Sequence, residues 1–236
     1  MKLDNIAVGV TTRNRPDIFR AWWKMYHDNT PKEVKLYIYE DCSDIPYTMY
    51  NHAPNKGVAA AKNELLKEIY NNSGCEHVFL FDDDTMPRCP EWWKPFTESF
   101  VGHLNYMPNL QGHLTLEPLQ GYENVMVCSM LWGSMIYLNR VLLSADFLFD
   151  ERYGKYGYEH CAFSRSVFKA KDIPHINLTV KDVDKYIYSF DYDYKWLPEK
   201  VKPYPDWYGE YWGLMDSPEH QKMAEKNFHE LYAPEN

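Results

Sequence analysis

The chain has 236 residues and carries 25 Lys and Arg against 34 Asp and Glu, a formal net charge of −9. Hydrophobic residues at 45% and charged residues at 25% exclude a disordered chain, and the acidic balance argues against a protein that coats nucleic acid non-specifically, a local basic groove excepted. Aromatic residues reach 17%, with 20 Tyr and 8 Trp, more flat surface than a core of this size needs, so some rings are expected to face ligand.

In chain order, residues 6–10 form a short apolar run that predicts a buried strand, followed by the polar turn Thr11-Thr12-Arg13-Asn14-Arg15-Pro16. Pro16 suits the first turn of a helix, and Ile18, Phe19, Trp22, Trp23 and Tyr26 recur at helical spacing. Residues 34–40 predict a second strand ending in Asp41-Cys42-Ser43-Asp44, and 58–70 a helix with Leu65, Leu66 and Ile69 on one side. Residues 77–81 predict a third strand running directly into Asp82-Asp83-Asp84. This β-α-β-α-β order predicts a mostly parallel sheet covered by helices, a class that binds ligands at the carboxyl ends of its strands. Further on, 134–138 reads as a strand and 161–171 as a helix. Tyr186, Tyr188, Phe190, Tyr192, Tyr194 and Trp196 occupy alternate positions, which predicts six rings on one face of an extended strand. Ser217-Pro218-Glu219 has the cap, proline and early acid of a final helix.

Location follows from what is missing. Met1-Lys2-Leu3-Asp4 leads into the first strand without a signal-type apolar core. The uncharged stretch 125–138, broken by Ser129, Gly133 and Ser134, falls short of the roughly 18–20 apolar residues of a membrane span. The five cysteines, Cys42, Cys75, Cys89, Cys128 and Cys161, are odd in number and never spaced C-x-x-C, which fits a reducing compartment and no zinc cage. A cytoplasmic protein is expected, in a host cytoplasm if a phage encodes it, with no membrane span.

Three patterns bear on chemistry. Asp82-Asp83-Asp84 places three carboxylates after a buried strand; they form either a solvated acidic turn or a site for a hard divalent cation that takes its remaining ligands from phosphate and water. Asn55-Lys56-Gly57-Val58-Ala59-Ala60-Ala61-Lys62-Asn63 strips the start of a helix of side chains, either for tight packing or for close approach of a phosphate to the helix N-terminus. Tyr158-Glu159-His160 opens a helix with an acid that either faces the dipole or serves as a general base at a pocket edge.

Taken together and in order, these motifs resemble the family-2-like glycosyltransferases with the GT-A fold. The matching pieces are Thr11 to Arg15 after the first strand, Glu40-Asp41-Cys42-Ser43, the Asn55 to Asn63 helix start, Asp82-Asp83-Asp84, and Phe149-Asp150-Glu151 with Gly157-Tyr158-Glu159-His160 and Arg165. The resemblance covers residues 5–170. It implies one GT-A domain over 1–236, with 1–110 binding a nucleotide sugar and 111–236 binding the acceptor. It also implies metal-dependent transfer, with Mn2+ or Mg2+, of a sugar from a nucleotide diphosphate, UDP above all, to an acceptor hydroxyl with inversion. By the same resemblance Thr11, Arg13, Asp41, Asn55, Gly57, Asp82 and Asp83 would bind the nucleotide sugar, and Lys62 would approach the diphosphate. Asp84 and Asp82 would hold the metal, with His175 a further possible ligand. The family has two acids in succession where this chain has Glu159 and His160; either accepts a proton, and Glu159 keeps the first position. Trp132, Gly133, Tyr158, Trp207 and Trp212 are the acceptor-side candidates. The acceptor is read as a glycan, with hydroxymethylated DNA bases as the alternative if Arg13, Arg15, Arg88, Arg140, Arg152, Lys155 and Arg165 gather on one face. A sugar-phosphate nucleotidyltransferase is a further class, but Thr11 to Pro16 holds no glycine-rich loop; a non-catalytic sugar-binding module would not need three aspartates at a strand end.

Overall fold

Four strands whose hydrogen bonding is parallel lie side by side and end on one edge, and that edge carries the site. The computed structural model describes residues 2–52, 54–107, 116–128, 133–143, 146–153, 158–170 and 177–190, with the single positions 222 and 226. β1 (Ile6–Thr12) leads into α1 (Pro16–Asn29), β2 (Lys35–Asp41), the short β3 (Asn51–His52), α2 (Val58–Asn72) and β4 (His77–Asp82). Then follow β5 (Thr85–Pro87), α3 (Lys94–Thr97), β6 (His103–Asn105), β7 (Leu116–Pro118), β8 (Val125–Cys128), β9 (Met135–Asn139) and α4 (Arg140–Leu143). α5 (Glu159–Ala170), β10 (Asn177–Val180) and β11 (Ile187–Ser189) complete the described elements.

The main sheet has the order β3-β2-β1-β4-β9-β6. β1 pairs in parallel with β2 and with β4, Thr11 standing opposite both Tyr39 and Asp82. β9 enters antiparallel between β4 and β6, so a strand from the second half of the chain completes the sheet begun by the first. The predicted mixed α/β class with a mostly parallel sheet is therefore what the chain forms. Two smaller antiparallel sheets, β10-β8-β7 and β11-β5, lie outside it.

Strand alternation divides the core in two. Ile6, Val8 and Val10 of β1, Phe79 and Phe81 of β4, and Met135 and Tyr137 of β9 face one side, where they meet Trp22 and Tyr26 of α1 with Trp92, Trp93 and Phe96. Ala7, Val78, Leu80, Ile136 and Leu138 face the other side and pack on Leu65, Leu66 and Ile69 of α2 and on Phe163 and Val167 of α5. Much of the aromatic surplus is thus core: Trp22 and Trp92 are fully buried, and each such side chain contributes about 1.5–3 kcal/mol by leaving water. Their indole N–H groups are satisfied by Thr85 O at 2.9 Å and Thr30 Oγ1 at 3.0 Å.

α5 is pinned to the edge of the sheet by a buried polar chain. His103 Nδ1 lies 3.0 Å from Tyr137 O; a carbonyl only accepts, so Nδ1 carries the proton and Nε2 accepts from Ser164 Oγ at 2.7 Å. Burial pushes the His103 imidazole down to about 4, so it stays neutral in this role.

In the described part of the alternating aromatic segment, Tyr186, Tyr188 and Phe190 lie on one face and pack against the core. β11 spans only Ile187–Ser189, and the buried positions are Ile187 and Ser189, while Tyr186, Tyr188 and Phe190 are partly buried on the opposite parity. A hydrophobic residue at 187 and a Ser189 hydroxyl satisfied by Thr85 Oγ1 at 3.0 Å put the odd face inward. Tyr192, Tyr194 and Trp196 lie outside the described residues, as does Ser217; of the last predicted helix, Lys222 and Lys226 are helical. All five cysteines are free thiols.

Candidate functional site

The strands β1, β2 and β4 deliver Thr11, Thr12, Asp41 and Asp82 to the same edge, and the turn after β4 adds Asp83 and Asp84. Two backbone bonds fix that turn: Asp82 N donates to Ser134 O and Phe190 N to Asp84 O, both at 2.8 Å. The three carboxylates are held by two cations. Asp82 accepts from Thr11 Oγ1 at 3.2 Å and pairs with Lys62 Nζ at 3.0 Å. Asp83 has no exposure and accepts from the Thr12 hydroxyl while pairing with Arg15. Asp84 pairs with the other end of the same guanidinium at 2.8 Å. Burial pushes the Asp83 carboxyl up to about 7 against the opposing pull of Arg15. The trio is therefore not a solvated acidic turn; only Asp82 keeps appreciable side-chain exposure, 24%.

Arg15 is the residue that sequence reasoning missed. Arg13 was expected to face the nucleotide; it is exposed, and Arg15 turns inward. Asn14 between them has φ 52°, a left-handed turn that breaks strand alternation. Asn14 is held there by Ser43 Oγ, which accepts from its N–H at 2.9 Å, and by Asp44 Oδ2, which accepts from its side-chain amide at 3.0 Å. Tyr47, also unforeseen, bonds Thr12 Oγ1 at 2.7 Å and accepts from Arg15 N at 3.3 Å. Asn14 in that turn was the available signal, since Asn tolerates the left-handed region.

Asp41, Asn55 and Gly57, read as nucleotide contacts, lie together and bond to one another and to Lys56. The Asp41 carboxylate accepts from Lys56 N and Gly57 N at 3.0 Å each, and Asn55 Oδ1 accepts from Gly57 N at 3.0 Å. Gly57 has φ 88°, a conformation open to glycine, and so turns the chain into α2. Glu40, buried beside them, gathers the 47–48 turn by accepting from Tyr47 N at 3.2 Å and Thr48 N at 2.8 Å.

Lys62, expected at the diphosphate, is 1% exposed, and its ammonium is engaged within the protein. Besides Asp82 it lies 3.4 Å from Gly133 O, 4.0 Å from Glu159 Oε1 and 5.7 Å from the centre of the Phe149 ring. Asn63, next to it on α2, clamps the underlying loop: its amide donates to Phe149 O and Glu151 Oε1 at 2.9 Å, and its oxygen accepts from Phe149 N at 2.6 Å.

Glu159 and His160 begin α5, entered through Tyr158 at φ 64°. Their side chains approach to 3.6 Å. Burial raises the Glu159 carboxyl, but His160 and Lys62 outweigh it and hold it at about 2. Burial likewise lowers the His160 imidazole, yet the Cys161 thiol and Glu159 carboxylate outweigh it and hold it at about 10. The Glu159 carboxylate thus lies between the Lys62 ammonium and the His160 imidazole. Gly133 is shaped by the same neighbour: a Cβ there would stand 2.2 Å from His160 Cγ, so only glycine lets α5 sit this close.

The fit of a divalent cation turns on Asp84. Its Oδ1 is buried and has no hydrogen-bond partner, an oxygen left for a ligand the protein itself does not supply. Among the described residues no three His, Cys, Asp or Glu side chains converge as a metal cage. One or two carboxylates with phosphate and water completing the shell is the arrangement a magnesium-type ion accepts. His175, Trp132, Trp207 and Trp212 lie outside the described residues. The basic residues named for a nucleic-acid face are engaged in part: Arg15 with Asp83 and Asp84, Arg140 with Asp146, and Arg152 with Asp150.

No family model matches the chain, and no curated protein matches it. Solved structures do. S. aureus TarS 1-349 in complex with UDP is similar at 18% identity and a TM-score of 0.56, over 78% of this chain and 60% of that one. A second S. aureus TarS structure matches 98% of this chain and 49% of its own, at 17% identity and a TM-score of 0.57. GalNAc-T7 with UDP, GalNAc and Mn2+ matches at 11% identity and 0.57, over 95% of this chain and 54% of that one. The chain therefore spans 60% of the first of these. The likeness establishes the fold, a GT-A-type mixed α/β domain with a mostly parallel sheet flanked by helices.

Proposed function

We propose that the chain is a glycosyltransferase that moves a sugar from a uridine diphosphate donor to an acceptor hydroxyl, with inversion. The observation that carries this reading is the placing of Asp82 and Asp84 at the strand ends and of Glu159 at the head of α5, on either side of Lys62. Such a site separates the group that holds a leaving diphosphate from the group that takes the acceptor's proton, as an in-line displacement requires. That S. aureus TarS binds UDP, and GalNAc-T7 binds UDP with Mn2+, supports the same donor here.

Thr11, Arg13 and Asp41 line the base and ribose side of the strand ends, and the loop that Asp41 holds presents the start of α2 toward the phosphates. Asp84, with its unpartnered oxygen, and Asp82 would hold Mn2+ or Mg2+, which would supply countercharge to a diphosphate. Asp83 acts beneath them by fixing Thr12 and Arg15. Glu159 accepts the hydroxyl proton on the face of the sugar opposite the leaving group, and His160 orients that carboxylate. The acceptor we favour is a glycan, because Arg15, Arg140 and Arg152 are committed to aspartates rather than gathered for a phosphate backbone.

A panel of nucleotide sugars offered with glycans on one side and hydroxymethylated duplex DNA on the other, read by mass spectrometry, tests the reading. A hexose or pentose added from a UDP-sugar to a glycan is the expected product; adducts on DNA alone would replace the acceptor, and no transfer from any donor would refute the activity.

A further inference from the structure

Lys62 is a buried ammonium between two carboxylates that belong to different halves of the reaction. It leaves α2 below the strand ends, with Asp82 Oδ1 at 3.0 Å and Oδ2 at 3.3 Å on one side and Glu159 Oε1 at 4.0 Å on the other. Gly133 O, at 3.4 Å, takes a third direction. An ammonium with 1% exposure is tolerated only because those anions surround it. Asp82 is the opposite case: both oxygens face Lys62, yet a quarter of its side chain remains exposed.

Resting on the transferase reading, we propose that Lys62 is a positioning residue that couples the donor side of the site to the base, holding Asp82 and Glu159 at a fixed separation without touching the donor. Each carboxylate shares the one ammonium. When cationic charge engages Asp82 from the cleft, that carboxylate draws less on Lys62, and the ammonium is left to Glu159. The base is then held in one orientation when the donor site is filled and shared when it is empty. Because the side chain is enclosed by α2, Gly133 and α5, a longer or planar cation cannot reproduce both distances.

Two measurements test this, one of which needs no activity. Melting temperatures of Asp82→Asn, Glu159→Gln and the double variant are expected to depart from additivity by about 2 °C or more, because both acids draw on the same cation. In the Lys62→Met background that departure is expected to vanish; additive shifts in the wild-type background overturn the coupling, whether or not the protein transfers sugar. In the transfer assay Lys62→Met is expected to lose about 100-fold or more in kcat with the donor KM within about 3-fold, the pattern of an interaction made in the transition state. Should Lys62→Met not fold, Lys62→Arg decides: a loss of about tenfold or more in kcat at unchanged donor KM upholds the proposal. A raised donor KM with kcat preserved in either variant, or an unchanged Lys62→Arg enzyme, would show that Lys62 meets the donor or does no positioning.

Discussion

The Glu159–His160 pair sets what the site can do at the scale of single residues. With Glu159 held at about 2 and His160 at about 10, both are charged across the neutral range. The Glu159 carboxyl is depressed from 4.5, so its contribution to stability is complete above that value and is lost as pH falls toward 2. The His160 imidazole is raised from 6.5, so its contribution is complete below that value and is lost as pH climbs toward 10. The pair therefore contributes most between pH 4.5 and 6.5. Melting curves of wild type and Glu159→Gln across pH 3–9 are expected to differ most inside that window; a pH-independent difference would show that the pair is not ionic. For activity, Glu159→Gln is expected to keep donor binding and lose about 10²–10⁴ in kcat. His160→Ala is expected to move the acid limb of kcat/KM to higher pH, since one of the two cations that hold the carboxyl down is gone. If His160→Ala abolishes turnover while Glu159→Gln stays active, the roles are reversed.

Elements matter through how closely they approach. β1 and α2 are in contact at Gly9, where an added Cβ would stand 2.7 Å from Leu65 Cδ2 and 3.0 Å from Leu80 Cδ2. Gly9→Ala is expected to destabilise by about 1–3 kcal/mol by overpacking, read as a lowered midpoint in urea with unchanged slope; no loss would mean that α2 is free to shift. The same closeness places Lys62 and Asn63 beneath the strand ends. Much of this arrangement was legible beforehand: the order of strands and helices follows from apolar periodicity, and the edge where ligands gather follows from parallel pairing. What periodicity could not show was a local backbone event or a long-range partner. Asn14 turns the chain so that Arg15, not Arg13, reaches the aspartates. Lys62 sits four residues into a helix whose spacing reads as amphipathic, and its burial rests on distant partners, Asp82 of β4 and Glu159 of α5. Tyr186, Tyr188 and Phe190 do share one face, but alternation defines two, and Ile187 and Ser189 take the fully buried one, where β5 offers Ser189 a partner.

The whole molecule sets a two-sided core behind one edge of the sheet. The aromatic surplus that first pointed to ligand stacking is spent largely on the α1 side of the sheet, where Phe79 packs edge-on against Trp92 with centroids 4.7 Å apart. That layer backs β4, whose last residue is Asp82, and the turn with Asp83 and Asp84 follows from it. No helix among the described residues is long and apolar enough to cross a membrane. On the proposed reading, the carboxyl edge, with the unpartnered buried oxygen of Asp84, receives the metal and the diphosphate. Calorimetric titration of UDP into the protein with Mn2+ or Mg2+, and again with chelator, addresses that claim most directly. One saturable site is expected, weakened about tenfold or more by chelator and by Asp84→Asn, with the Asp84→Asn protein still folded. Equal affinity in chelator and in Asp84→Asn, or no binding of UDP at all, would contradict it.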